Sequence, residues 1–507
     1  MLDWTALSGA FALLGSDINI WLVIIPGLII GLVAGSIAGL SNSMAMALCL
    51  PLTLYMDFLP AVMFLTAIFT GGGFGGAVTS ILMGIPGTTS AVATTFDGYP
   101  MTRQGLHNEA MGLALMSSVI AVFIGYILLM FVVAPLGAWV IGLGPGEMLM
   151  IAIWGLTMIA ALGGKDLTRG LIAGGFGLML GTVGMNTSGY TRGTMDIPFL
   201  LDGIPVVPAM MGMFAASQLL SLVGNQFIIS DEGARRADFR RVFAGAKQVL
   251  KVPFFHLRGS LIGVFVGAIP GVGSSVGNLI AYAQAKRTDD DPESYGKGNP
   301  KGVIAAESAN SSSEGGSMVT MLALGIPGGA GTAMLLAAFT MHNVTGGPQF
   351  INNNMDIVYT IILGNLAQVV LLLGVGMVFL AVAGNIVRVP LTILIPSVMV
   401  LAILGSYAIT GDVAGPITLF VFAALGWLMK RYKYPVAAAV VGLLLGRMVE
   451  TQLIRTYQLS GGMELQYFLE RPIIITFFIL LVLSLLQPLI TRQIKQRWGR
   501  KNLKAGV

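Results

Sequence analysis

The 507-residue chain is poor in charge, cysteine and histidine. Charged residues make up 10% of it, against about 25% in a soluble globular domain. That is too little charge to cover a water-facing surface, which excludes a soluble enzyme and a disordered chain. The one cysteine, Cys49, cannot form an intrachain disulfide, and its apolar setting (MAMALCLPL) suits a buried thiol. None of the three histidines, His107, His256 and His342, lies in an HExxH pattern, so no metalloprotease site is expected. No G-x-x-x-x-G-K-[ST] occurs, which excludes ATP binding by a P-loop. No Ser/His/Asp spacing suggests a nucleophile, so neither catalytic residues nor a cofactor are expected. No Lys or Arg precedes Arg103, so there is no basic n-region and no cleaved signal peptide is expected. The 29 methionines are spread through apolar stretches and read as core or lipid contacts.

What is present is a succession of long apolar runs. Windows able to cross a bilayer (about 20 residues) lie near 20–50, 109–135, 147–163, 169–185, 205–224, 259–283, 356–384, 390–405, 412–430, 433–450 and 471–491. Two more stretches, 58–100 and 303–343, are apolar but broken by Gly and Pro. They read as re-entrant helical hairpins, a backbone tolerated at membrane depth only inside protein or beside a wet cavity. The expectation is an all-α polytopic membrane protein with about 11 spans and two hairpins. The long continuous runs disfavour a β-barrel.

The basic residues set the orientation. The loop 231–258 carries Arg235, Arg236, Arg240, Arg241, Lys247, Lys251 and Arg258, and the tail 492–507 is equally basic. Both are placed in the cytoplasm. Counting spans outward also puts Arg103, Lys165, Arg169, Arg388 and Lys430/Arg431/Lys433 inside and leaves the N-terminus periplasmic. The competing reading of the basic loop is nucleic-acid or anionic-lipid binding; topology marking accounts for it more simply, and no nucleic-acid partner is expected.

The chain also repeats itself. LIIGLVAGSIAGLSNS (28–43) matches SLIGVFVGAIPGVGSS (260–275), placing Gly31, Gly35, Gly39 and Ser43 on Gly263, Gly267, Gly271 and Ser275. GAVTSILMGIPG (76–87) matches SMVTMLALGIPG (317–328). Residues 1–230 thus form a first repeat and 259–491 a second, each with a broken span followed by a hairpin. By the charge argument the first hairpin opens inward and the second outward, so the repeats are inverted. Paired Gly/Pro-broken segments in two halves point to a secondary-transporter binding site. Close helix packing also explains the glycine spacing, but not the repeated GIPG with polar residues around it.

The candidate substrate residues follow from these breaks. Ser41, Asn42 and Ser43 interrupt the first broken span, and Gly273, Ser274 and Ser275 the second. A helix broken at mid-membrane bares N–H groups that suit a carboxylate and C=O groups that suit a cation. The hairpin turns add Gly84, Pro86, Gly87, Thr88 and Thr89 in one half and Gly325, Pro327, Gly328 and Thr332 in the other. Thr88 and Thr89 suit capping and ligand contact equally. In the very polar segment 306–314, Asn310 is a substrate candidate, while Glu307, Ser308 and the nearby Asn278 are candidates for a coupling sodium or proton. Were that segment at the outer rim, Glu307 and Glu314 would simply be solvated. Asp97 reads as a turn cap ending the first hairpin.

The runs GAIPGVGSS (267–275), GIPGTTSAVATTFDGYP (84–100) and ESANSSSEGG…LALGIPG (307–328) resemble the motifs of the large membrane subunit of tripartite tricarboxylate transporters, the TctA family. The resemblance covers essentially the whole chain. It implies a bacterial inner-membrane permease that works with a small membrane subunit and a periplasmic solute-binding protein delivering a carboxylate, driven by a cation gradient. The chain departs from the family's usual pattern at Thr89, where proline is common, and at Ala306–Ser312, where P-E-S-A-N-N-A is common. The rival readings are an ion or solute channel and a non-transporting membrane scaffold.

Overall fold

A computed structural model describes residues 3–37, 40–162, 167–186, 189–222, 238–270, 273–386 and 391–486. Gly39, Lys165, Arg235, Arg236, Gly271, Val272, Arg388 and the basic tail lie outside the described residues. The described chain is helical almost throughout, with one two-residue strand pair, Gly184–Met185 and Thr191–Arg192. It forms two compact units. One comprises Met1–Gly142 and Pro205–Leu428, the other Leu143–Ile204 and Met429–Val507.

The first unit holds both broken spans and both hairpins. The outgoing arm of the first hairpin, Phe58–Met83, ends where Gly84 turns left-handed (φ 69°) and its N–H donates to Ser80 O. The second arm, Pro300–Leu324, ends identically at Gly325 (φ 68°), whose N–H donates to Met321 O. A residue with a Cβ is strained at this φ, and the proline two residues on cannot continue the helix. Short helices return from each turn, Val92–Arg103 and Ala330–Met341. The broken spans are Ile24–Gly35 with Asn42–Cys49, and Pro253–Gly267 with Gly273–Thr288.

The repeat extends to individual contacts. A Cβ on Gly35 would meet the Gly72 carbonyl, and one on Gly267 would meet the carbonyl of Ser313, the matching position. Gly87 sits against Gly35 and Gly76; Gly328 sits against Gly267 and Ser317. Thr79 Oγ1 donates to Ser36 O, as Thr320 Oγ1 does to Ala268 O. In each half the broken span and the hairpin arm touch backbone to backbone, which only small residues allow.

Each broken span is preceded by a sharply bent arm. Trp4–Ser16 meets Asn19–Gly35 at 76°, and Phe239–Leu250 meets Pro253–Gly267 at 82°. The first arm had not been expected; it is short, and Asp3 caps it by accepting from Thr5 N and Ala6 N. The second arm buries Val242, Gly245 and Val249 and exposes Phe239, Phe243 and Leu250. Its Arg241 pairs with Glu109 at 2.7 Å and donates to Gly105 O at 2.9 Å. The basic loop and the Arg103 end of the first hairpin therefore lie together.

Among the described residues four straight helices are long and apolar enough to cross a membrane, Phe58–Met83, His107–Val140, Met355–Ala383 and Val436–Leu459, or six crossings if each bent pair counts as one. Other expected spans are shorter apolar helices, such as Leu167–Gly181, Val206–Leu220 and Pro472–Leu486. The first break also differs from expectation. It falls between Gly35 and Asn42, with Ser41 capping the next helix by accepting from Met44 N, so Asn42 and Ser43 lie within a first helical turn.

The second unit consists of plainer helices. Gly177 and Gly181 lie against the carbonyls of Ala439 and Leu443, and Gly442 and Gly446 against Gly174 and Gly181. This is reciprocal small-xxx-small packing. Arg471 Nη1 holds Glu147 at 2.8 Å and stacks over Tyr467.

Candidate functional site

Several of the expected substrate residues lie at the two breaks, whereas Asn310 lies with Glu307, Gly84 against Tyr99 and Gly325 against Gly346. Ser275 Oγ donates to Thr89 Oγ1 at 3.1 Å, and Asn278 Nδ2 donates to Ser90 O. Thr88 and Ser90 share a hydrogen bond of 3.0 Å. The second break thus meets the tip of the first hairpin. It also meets its own hairpin: a Cβ on Gly273 would lie 3.9 Å from Gly328 O and from Gly329 Cα. Thr89 is exposed and Ser274 and Ser275 are half-buried, so this junction is an open polar mouth. The Oδ1 of Asn278 is buried without a hydrogen-bond partner, a costly state for an amide oxygen.

The first break converges on Phe69. Asn42 Nδ2 donates to Phe69 O at 3.4 Å, and Gly331 of the second hairpin packs on the Phe69 ring. Both hairpin tips therefore touch elements of the opposite half. Ser43 is buried beside Asn42. Thr332 caps its own helix: Gly329 N donates to its hydroxyl at 3.0 Å, the capping role open to small hydroxyls at a helix start.

The polar arm Pro300–Leu324 is enclosed, not at a rim. Glu307 is fully buried and Glu314 is 5% exposed. Glu307 accepts from Thr94, from Ser118 Oγ at 3.3 Å and from Asn310 Nδ2 at 3.4 Å. Glu314 Oε1 accepts from Thr70 Oγ1 at 2.7 Å and from Tyr126 OH at 2.8 Å. Ser308 donates to Ala305 O and faces Gly259, a packing position. Thr70, Thr94, Ser118, Tyr126 and Gln368 had not been singled out. Their signal in the sequence is weak: isolated hydroxyls and an amide in apolar runs.

Asp97 lies in the middle of Val92–Arg103 and caps no turn of its own hairpin. Its Oδ1 accepts from Gly296 N (2.8 Å), Gly298 N (2.9 Å) and Asn299 N (2.8 Å), and its Oδ2 from Tyr282 OH (2.9 Å). It thus binds the loop that opens the second hairpin. In that loop Lys301 pairs with Asp289 at 2.7 Å. Burial works to raise the Asp289 pKa, but the Lys301 ammonium, the Asp291 N–H and the Tyr295 hydroxyl outweigh it and hold it below the usual carboxylate range.

Apolar helices around paired Gly-turned hairpins, with buried carboxyls and polar breaks meeting at their tips, define a multi-pass helical membrane protein. The sequence model of the tripartite tricarboxylate transporter TctA family matches residues 21–441, and the chain belongs to that family. It is accordingly a component of a transport system and not an enzyme. An uncharacterized 52.8 kDa protein of the TAR-I ttuC' 3' region of Agrobacterium vitis is 28% identical over 442 residues, covering 86% of each chain. An uncharacterized protein of the TAR-II ttuC' 3' region of the same organism is 28% identical over 219 residues, covering 42% of this chain and 87% of its own. No solved structure matches.

Proposed function

We propose that the chain is the permease subunit of a secondary transporter that takes up a di- or tricarboxylate across the bacterial inner membrane. A sodium or proton gradient drives uptake, a periplasmic solute-binding protein delivers the substrate, and a small membrane subunit completes the assembly. The observation that carries this reading is the meeting of both hairpin tips with the break at Gly273–Asn278. The N–H groups that open the helix at Gly273, with the hydroxyls of Thr89, Ser274 and Ser275, are donors suited to a carboxylate. The Asn42 side chain and the Gly331 tip form the facing part of the same site.

Inverted repeats are part of the proposal. The two bent arms occupy equivalent positions, yet Phe239–Leu250 carries Arg240, Arg241 and Lys247 whereas Trp4–Ser16 carries no base. Equivalent arms, one basic and one without charge, belong on opposite faces of a bilayer. The basic arm is cytoplasmic, with the C-terminal tail, and the N-terminus is periplasmic. The two broken spans and two hairpins move as one body, which the Asp97 hydrogen bonds favour.

The test is uptake of labelled carboxylates into ATP-free proteoliposomes holding the three components, with sodium and proton gradients imposed separately. Uptake under one gradient alone is expected. Ion current without substrate would instead make the protein a channel. Ser275→Ala and Asn310→Ala are each expected to weaken substrate affinity about tenfold, the worth of one hydrogen bond to a charged group, read as a rise in the KM of uptake. Unchanged KM values in both variants would remove these residues from the site.

A further inference from the structure

We propose that Glu314, Thr70, Tyr126 and Gln368 form a binding site for one monovalent cation, a proton or a sodium ion, distinct from the Glu307 cluster. The four residues come from four helices: Pro300–Leu324, Phe58–Met83, His107–Ile141 and Met355–Ile386. Glu314 is buried, and the ion pairs among the described residues (Arg192–Glu450, Arg241–Glu109, Lys301–Asp289 and Arg471–Glu147) do not include it. The other ionisable side chains on these helices are Glu307, two turns away, and Lys301, His107, Glu109, Asp356 and Tyr359 near the helix starts. On the neighbouring Pro253–Gly267, His256 faces Ser117 O and Arg258 stacks over Phe255. None of these neutralises Glu314. A bare carboxylate in that position is very costly, so the site calls for a cation.

The surrounding oxygens are arranged for one. Gln368 Nε2 donates to Thr70 Oγ1 at 2.7 Å, while Gln368 Oε1 is buried without a partner. The Thr70 hydroxyl lies 2.7 Å from Glu314 Oε1 and 3.0 Å from Thr66 O. It has one proton and can give it to either acceptor. With Glu314 charged, Thr70 and Tyr126 both donate to the carboxylate. With Glu314 neutralised, Thr70 can turn its proton to Thr66 O and present its oxygen to the bound proton or ion. A carboxylate with hydroxyl and amide oxygens is also the donor set of a hard cation.

The site adjoins the first break and the second hairpin tip through one peptide bond. Thr70 follows Phe69, whose carbonyl accepts from Asn42 and whose ring supports Gly331. Cation occupancy at Glu314 is thereby felt where the hairpin tip and the first break meet. As the coupling site, the cluster rests on the carrier reading above; as a cation site, it does not.

Purified full-length protein in lipid nanodiscs distinguishes these. In the sodium case, sodium chloride raises the melting temperature of the wild type relative to choline chloride, and Glu314→Gln abolishes that rise while Glu307→Gln keeps it. In the proton case, sodium has no effect, and a protonated-carboxyl infrared band of the wild type is missing in Glu314→Gln. If Glu314→Gln keeps both the sodium response and the infrared band of the wild type, the site is refuted. Should that variant fail to fold, Tyr126→Phe and Gln368→Ala are expected to weaken the sodium response about tenfold or to shift the carboxyl band. No change in either variant refutes it equally. In proteoliposomes Glu314→Gln is expected to lose gradient-driven uptake. A Glu314-dependent cation response in a protein that takes up no carboxylate would leave the site standing and overturn the carrier reading alone.

Discussion

Asp97→Ala is expected to destabilise the protein by about 4 kcal/mol, since each buried polar group left unpaired costs about 1–3 kcal/mol. The Asp97 side chain is fully buried and accepts four hydrogen bonds, three from backbone N–H groups and one from a phenol. The three N–H groups, on Gly296, Gly298 and Asn299, converge just before the helix that begins at Pro300, where a negative charge also suits the helix dipole. The loss spans the return helix of the first hairpin, the second broken span and the loop into the second hairpin, so uptake should fall with stability. Asp97→Asn keeps one oxygen for the three N–H groups and should cost less than half as much. The comparison is Asp412→Ala, where an exposed side chain accepts from Ala414 N alone and the loss is about 1 kcal/mol. Thermal unfolding in detergent reads all three. Equal melting temperatures for the Asp97 and Asp412 alanine variants would remove the carboxylate from any role in joining the halves.

The sequence signals that succeeded were local. Gly84 and Gly325, each followed by Ile-Pro-Gly, were legible as hairpin turns because a helix needs a left-handed terminus there and then a residue that cannot extend it. The second break was legible for the same reason, as Gly273 begins a new helix with φ 60°. The first break was legible only to within a few residues. Its apolar run is continuous, and of the three expected interrupting residues only Ser41 lies in the break, as the cap of the helix that Asn42 and Ser43 begin. Asp97 misled because Asp-Gly and Tyr-Pro are turn signals. The helix runs through them to Arg103, held by partners about 200 residues away in sequence. Trp4–Ser16 carried too short an apolar face to register as a span.

The site was legible as a composition, not as an arrangement. The polarity of 306–314 marked the second hairpin, but only the fold decides whether Glu307 and Glu314 face water or protein. The residues that answer Glu314 lie 188 and 244 positions away, and Gln368 joins through Thr70. No periodicity or spacing can pair such distant positions. One pairing was foreshadowed, since the repeats imply that each hairpin tip lies close to a break. The crossing to the opposite half, Ser275 onto Thr89, was not.

Gly35→Val and Gly267→Val should fail together and to the same extent. Each glycine occupies the same place in its half, at the end of the first helix of a broken span and against a hairpin-arm carbonyl. The obstacle is main chain on both sides, so no rotamer change relieves it. The cost is about 3 kcal/mol, the upper part of the range for overpacking, plus the displacement of Gly87 or Gly328, which sits against the carbonyl oxygen of Gly35 or Gly267 itself. The expected outcome is loss of monodisperse protein, or folded protein without uptake. Gly73→Ala is the control. It lies in the same arm one residue from Gly72, and nothing stands within 4 Å of the added methyl. Alanine there should stabilise the helix by about 0.5–1 kcal/mol and leave uptake intact. If one valine variant fails while the other behaves as wild type, the halves share a sequence pattern without sharing a mechanical role. Matched failure would mean that the two hairpins are seated by one repeated contact, and that a change in either seat reaches the carboxylate mouth from both directions.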